Sequence, residues 1–356
     1  MTSIQRFFLK ILLSFPDSWK IKLTGGRPIE INGKTLHPDF QLIAWIDRFI
    51  SKFHTYKPTK ARKVFESKIK IISNKSISLP KVETTIIGGI NDSIKIRIYN
   101  PDPTRDGHPI LLYFHGGGHV VGNINTHDNL CRYLAYFTPC LVFSVDYRLA
   151  PEFPFPNAIN DTYRAYKWIK SNAIRLGGNP DKIALAGDSA GGNLALATTI
   201  RLKDSKEDLP NFIGLLYPYL DLSQENASYE TYHEGFLLSR SQLRWFKNHY
   251  SPNTKDRSNP EASPLLYPSF KDFPNCYVAT AGFDPLLDEA EVLVAKLQKD
   301  KVHVVHTNFP GFVHGYASFA DIVPAAWDAV QDFIKYLKTE WSGHLKTESP
   351  DHDTNE

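Results

Sequence analysis

The chain has 356 residues, 42% of them hydrophobic, enough to bury one large α/β core with an appendage or to fill two ordinary domains. Its 41 basic and 38 acidic residues leave a formal charge of +3 and are read as spread along the chain, so binding to nucleic acid is not expected. Three cysteines, Cys131, Cys140 and Cys276, match neither a zinc motif nor a disulfide framework, so a reducing, cytoplasmic setting with no metal is expected.

In chain order, "MTSIQRFFLKILLSF" has the length of a signal peptide, but Lys10 interrupts its apolar run and no small-residue cleavage pattern follows. Ile4, Phe7, Phe8, Ile11, Leu12 and Phe15 recur at helical spacing and predict one apolar face. "DFQLIAWIDRFISKF" repeats the spacing through Leu42, Trp45, Ile46, Phe49, Ile50 and Phe53, with Asp39 placed to cap its first turn. Packing of both stripes on the main domain is favoured over weak peripheral contact with a membrane, and no run is long enough to span one. Residues 1–80 are thus expected to form a helical cap region.

From Val82 the texture changes. "VETTIIGG" and "SIKIRIYN" alternate like half-exposed antiparallel strands. "ILLYFHGGG", "CLVFSVDYR", "KIALAGDS", "FIGLLYP", "CYVATAGFD" and "VHVVHTNFP" are short apolar runs of buried-strand type. Helical patterns at Ala158 to Leu176, Gly192 to Leu202, Pro285 to Gln298 and Pro324 to Leu337 separate most of them. The alternation predicts an α/β domain over residues 81–340 with a mainly parallel sheet covered on both faces. The connection at 219–268 is too long for a plain loop and reads as an inserted lid, and residues 341–356 form a polar tail.

"KIALAGDSAGGNLALA" reads as a strand, a very tight turn carrying Ser189, and a helix that starts at once. Close approach of strand to helix excludes side chains two residues to either side of the serine, a need that Gly187 and Gly191 meet. Such a G-x-S-x-G elbow lifts a hydroxyl above the sheet edge, beside the positive end of a helix dipole. Alone the pattern arises by accident about one time in ten in a chain this long.

Support comes from "YFHGGGHVVG". Acyl transfer builds negative charge on a carbonyl oxygen, which a backbone can stabilise only with amides left free to point at it. Gly116, Gly117 and Gly118, directly after a buried strand, can expose such donors and let a substrate approach. A phosphate loop is disfavoured, because no Lys-Ser or Lys-Thr pair follows and the G-x-G-x-x-G spacing is absent.

A serine needs a base, and His314 in "FPGFVHGYA" follows the last apolar strand, where its loop would overhang the elbow. His303 and His306 are three apart in a strand pattern and face opposite ways, a poor metal pair. His115 and His119 flank the glycines and are expected to fix that loop and line the pocket; His233 and His249 belong to the lid. The orienting carboxylate should come from another strand end, where Asp284 is preferred over Asp288, a turn into the next helix, and over a plain helix-capping role before Pro285. Asp188, beside the nucleophile, suits the elbow's hydrogen bonding or the following helix better than proton transfer.

With Ser189, Asp284 and His314 in this order after the glycines, the chain resembles the hormone-sensitive-lipase-like esterases of the α/β-hydrolase superfamily. Five blocks carry the resemblance: "HGGG" at His115 to Gly118, "DYRLAPE" at Asp146 to Glu152, "GDSAGGNLA" at Gly187 to Ala195, "DPLLDEA" at Asp284 to Ala290 and "GFVHGY" at Gly311 to Tyr316. The resemblance implies an eight-stranded, mostly parallel sheet with a helical cap, and an oxyanion hole made by the amides of Gly117, Gly118 and Ala190. One position departs from it: His119 stands where a large apolar or aromatic residue is usual. The implied reaction is hydrolysis of a small carboxylic ester with a short to medium acyl chain, through an acyl-enzyme, with no cofactor. Arg148 and Glu152 are expected to form a structural pair. An amidase or formamidase with the same triad, a ligand receptor that has kept the pocket and lost the chemistry, and a homodimer along an exposed strand edge stay open.

Overall fold

The computed structural model describes residues 2–50, 52–74, 76–89 and 92–342. Most of the polar tail lies outside them.

Among the described residues four α-helices, rather than the two expected, precede the sheet: α1 (Thr2–Leu13), α2 (Asp17–Leu23), α3 (Pro38–Asp47) and α4 (Pro58–Ile72). A small antiparallel hairpin, β1 (Glu30–Ile31) and β2 (Lys34–Thr35), joins α2 to α3. Helix α3 stops at Asp47, so its stripe does not continue; Phe49 is exposed and Phe53 sits in a separate 3-10 turn. Nor does Asp39 cap it. Pro38 takes the first helical position, so the chain enters one residue earlier, and the His37 ring accepts from the Asp39 amide at 3.3 Å. The Asp39 carboxylate instead pairs with the buried Lys20 of α2.

Four of the six residues of the expected face of α1 are turned outward, whereas Leu12 packs inward and Phe15 lies beyond the helix. Ile4, Phe7, Phe8 and Ile11 face solvent, while Leu9, Leu12 and Leu13 pack inward. Polar contacts set this orientation: Arg6 donates to the carbonyls of Lys70 and Ile71 at the end of α4, and Lys10 reaches Asn74 at 2.5 Å.

Eight strands form the main sheet: β3 (Lys81–Ile87), β4 (Ile94–Asn100), β5 (His108–Phe114), β6 (Leu141–Asp146), β7 (Gly178–Asp188), β8 (Phe212–Leu216), β9 (Asn275–Phe283) and β10 (Val304–Val313). Their order is β10-β9-β8-β7-β5-β6-β4-β3, parallel throughout except where β4 runs against both β3 and β6. Burial on both faces explains the near-continuous apolar runs. Along β5, Ile110, Leu112 and Phe114 enter one core while Leu111 and Tyr113 enter the other.

The crossover helices are α5 (Asp128–Phe137), α6 (Asn157–Asn172), α7 (Ala190–Asp204) and α10 (Leu287–Lys299), with α11 (Pro324–Ser342) closing the chain. Between β8 and β9 lie α8 (Ala227–Thr231) and α9 (Arg240–Tyr250), so the long connection carries helices of its own. In α9 a reciprocal Ser239–Gln242 capping box fixes the first turn. No described helix is long and apolar enough to cross a membrane.

Candidate active site

Ser189 sits between β7 and α7 with φ 54 and ψ −118, a conformation that an L-residue keeps only where its surroundings enforce it. They do so here. Its amide donates to Leu216 of β8 at 2.8 Å, and its carbonyl accepts from Tyr219 at 3.1 Å. A Cβ on Gly187 would lie 2.3 Å from the Gly191 backbone, and one on Gly191 would lie 1.9 Å from the Phe114 carbonyl oxygen. The two glycines are therefore required by contact between β7, α7 and β5.

Three side chains converge at the carboxyl ends of the strands. His314, just past β10, has its Nε2 at 2.9 Å from Ser189 Oγ and its Nδ1 at 2.7 Å from Asp284 Oδ2. Asp284, buried at the end of β9, receives the Leu286 amide on its other oxygen at 2.8 Å. Its two oxygens thus serve the imidazole and an Asx turn; the helix-capping role is not filled, because α10 begins only at Leu287 with Leu286 as its N-cap. Asp288 is turned away and accepts from the amide of Ser228 in α8. In this arrangement the imidazole can take a proton from the hydroxyl while the carboxylate holds its tautomer.

Facing Ser189 across an apolar cavity is the glycine loop. Gly117 and Gly118 have φ of 120 and 59, and among the described residues neither amide donates to a protein acceptor. The Ala190 amide belongs to the first turn of α7, where helical geometry leaves N–H groups unpaired. Gly117 and Gly118 line the cavity with Ser189, and Ala190 follows the serine directly, a disposition able to hold an oxyanion.

Beneath the loop lies a buried polar knot. Asp188 Oδ1 accepts from the Gly116 amide at 2.9 Å and the Tyr113 hydroxyl at 2.8 Å, and the His127 ring approaches it at 3.2 Å. Burial would raise the Asp188 carboxyl, but the His127 ring and the Tyr113 hydroxyl outweigh it and hold the group below the usual carboxylate range. Asp188 thus ties the elbow to the glycine loop rather than to its own helix. Burial pushes the His115 and His119 rings down to about 3, so both are neutral. His115 stacks on Tyr147 at 4.3 Å and His119 on Tyr250 of α9 at 3.7 Å. Neither ring lines the cavity, a correction to their expected place, because each finds an aromatic partner behind the loop.

The cavity extends from Ser189 between the N-terminal helices and α9, with Ile46, Phe65, Ile69, Leu243 and Phe246 among its walls. Its charged rim is a Lys68–Asp47 pair at 2.8 Å. Among the described residues no cluster of His, Cys, Asp or Glu could hold a metal ion. His306 bonds Thr280 across the sheet at 3.0 Å, while His233 and His249 bond backbone carbonyls, the outer roles expected of them.

Two further residues escaped sequence reasoning. Arg62 of α4 donates to the carbonyls of Val120 and Ala150, each at 2.8 Å, and pairs with Glu152, so it clamps the glycine loop to the loop after β6. The expected Arg148–Glu152 pair is consequently absent, and Arg148 instead grips the buried Asp161 of α6 at 2.7 Å. His127 was passed over because "NTHDNL" carries no spacing signal; only the fold brings it beside Asp188.

A family model described as the alpha/beta hydrolase fold matches residues 111–318. The carboxylic ester hydrolase LipN of Mycobacterium tuberculosis is 30% identical over 343 residues, covering 94% of this chain and 91% of LipN. Carboxylesterase NlhH of the same organism is 35% identical, covering 72% of this chain and 82% of NlhH. Among solved structures, a hyperthermophilic esterase from the archaeon Pyrobaculum calidifontis is similar with a TM-score of 0.80 and 34% identity, over 84% of this chain and 96% of that one. The chain belongs to the α/β-hydrolase-fold family, in its hormone-sensitive-lipase-like carboxylesterase group.

Proposed function

We propose that this carboxylic-ester hydrolase works through Ser189 as nucleophile, His314 as general base and acid, and Asp284 as the group that orients the imidazole. The single observation that carries the reading is the continuous hydrogen-bonded line from Ser189 Oγ through His314 to Asp284, ending at an apolar cavity. Attack of Oγ on the ester carbonyl passes the hydroxyl proton to His314 Nε2. Negative charge then develops on the carbonyl oxygen, opposite the Gly117, Gly118 and Ala190 amides. His314 returns the proton to the leaving alcohol, and water repeats the sequence on the acyl-enzyme, regenerating the serine.

Residues 81–340 act as the catalytic domain, with residues 1–80 and the 219–268 insertion as its cap. Both cap segments contribute apolar side chains to the cavity wall, which supports an acyl group of short to medium length as the part bound there. Esters are favoured over amides by the named activities of the relatives. A receptor function is disfavoured by a serine already in contact with its base. Three buried, unpaired cysteines support a reducing compartment, and we infer the cytoplasm.

The test is a series of p-nitrophenyl esters from acetate to laurate, with Ser189→Ala as control, together with labelling by a fluorophosphonate. Turnover and Ser189-dependent labelling are the expected result; a folded protein that does neither would refute the reading.

A further inference from the structure

Helix α1 buries one apolar side, Leu9, Leu12 and Leu13, and leaves a second one exposed. Its polar residues Arg6 and Lys10 are fastened to the end of α4, while Ile4, Phe7 and Phe8 are 60%, 61% and 59% exposed. Spacing of three and four residues puts these side chains, with Ile11, on one side of the helix as a continuous apolar ridge. Trp19 and Leu23 of α2 are exposed as well. Water-facing aromatic and aliphatic groups at such density mark a surface that meets something apolar.

Charge identifies the partner. Residues 1–80 contain fifteen Lys and Arg against five Asp and Glu, while the remaining 276 residues hold 26 basic and 33 acidic ones. The near-neutral total hides a strongly basic N-terminal segment, the one that carries the apolar ridge, in which Lys20, Lys52, Arg62 and Lys68 are in ion pairs and most of the other cations are in excess. A second copy of the chain seated ridge to ridge would press two such segments together, whereas an anionic bilayer attracts them and takes up Phe and Trp at its interface. Helix α1 also borders the active-site cavity: Leu9, on the side opposite the ridge, and Ile50, itself 40% exposed, both line it.

We propose that the apolar ridge of Ile4, Phe7, Phe8 and Ile11, beside the basic charge of the N-terminal helices, docks this protein on the surface of an anionic lipid bilayer. Docking holds the cavity, which α1 borders, close to the bilayer, so that esters dissolved in the bilayer have a short path to the site. That last consequence rests on the esterase reading; the docking does not.

Flotation of the full chain with vesicles tests it, using phosphatidylcholine alone and phosphatidylcholine containing about a third phosphatidylglycerol. The protein is expected to float with the anionic vesicles, to bind the neutral ones less, and to be released as salt rises. The Phe7→Glu, Phe8→Glu double variant should bind about tenfold more weakly or less, with unchanged turnover of soluble p-nitrophenyl acetate showing that it is folded. Failure of the wild-type chain to float, equal binding by the folded variant, or a wild-type dimer on sizing that the variant abolishes would each overturn the proposal. A protein that floats yet hydrolyses no ester would keep the docking and sink the esterase reading.

Discussion

Gly118 of the glycine loop and Phe246 of α9 are packed so closely that a Cβ on the glycine would lie 2.1 Å from the aromatic ring. The ring thus rests on backbone that no other residue could offer, at a φ of 59 that already disfavours a side chain. Gly118→Ala is expected to tilt the loop and lower kcat/KM for p-nitrophenyl butyrate about a hundredfold, the usual cost of a misplaced oxyanion donor. Adding Phe246→Ala removes the clash but not the backbone strain, so the double variant should recover part of the loss. Steady-state kinetics on the four proteins of this cycle provides the check.

Asp284 divides its oxygens between His314 and the Leu286 amide. In Asp284→Asn the oxygen must stay on Leu286, which turns the amide N–H₂ towards His314 Nδ1 and stabilises the tautomer with its proton on Nε2. That imidazole cannot accept from Ser189. The expected loss in kcat is about a thousandfold or more, with KM little changed and the fold intact by circular dichroism.

How much of this was legible beforehand follows from how local each signal is. Ser189, Gly187 and Gly191 are constrained within five residues, and His314 and Asp284 by their places at strand ends, so pattern and chain order pointed to the three side chains that the structure brings together. The sheet followed from apolar runs that burial on both faces requires. The direction of α1 did not, because periodicity fixes which residues share a face but not which way the face points; Arg6 and Lys10 decide that through α4, more than sixty residues away. Helix α4 was missed because its apolar positions are diluted by charge, "PTKARKVFESKIKII", and the partners of Arg62, on two loops, and of Arg148, on α6, were unreadable because only the fold brings them together.

Arg62 holds two loop carbonyls and a carboxylate with one guanidinium. Arg62→Ala leaves the Val120 and Ala150 carbonyls without this donor and frees the end of the glycine loop. The expected result is about 1–3 kcal/mol less stability in urea unfolding, with a several-fold fall in kcat. Arg62→Lys supplies a point charge in place of a planar fork and should restore only part of each.

Glu289 of α10 is fully buried beneath the start of the β8–β9 connection, where it accepts from the amides of Leu220 at 2.7 Å and Asp221 at 3.0 Å and meets the Tyr229 hydroxyl at 3.0 Å. Burial pushes its carboxyl up from 4.5 to about 8, the amide donors opposing this only in part. A folded-state value above the unfolded one means that the native protein holds a proton the unfolded chain has lost. Glu289 therefore contributes stability that is complete below about pH 4.5 and is lost as pH rises towards about 8. Gln in its place keeps an oxygen for the two amides and an N–H₂ for Tyr229 without any charge to bury. Thermal melts at intervals between about pH 6 and 9 should show the wild-type Tm falling with pH and the Glu289→Gln Tm falling less, so that the variant gains on the wild type most at the alkaline end. Parallel curves would mean that Glu289 stays ionised throughout, with its three donors outweighing its burial.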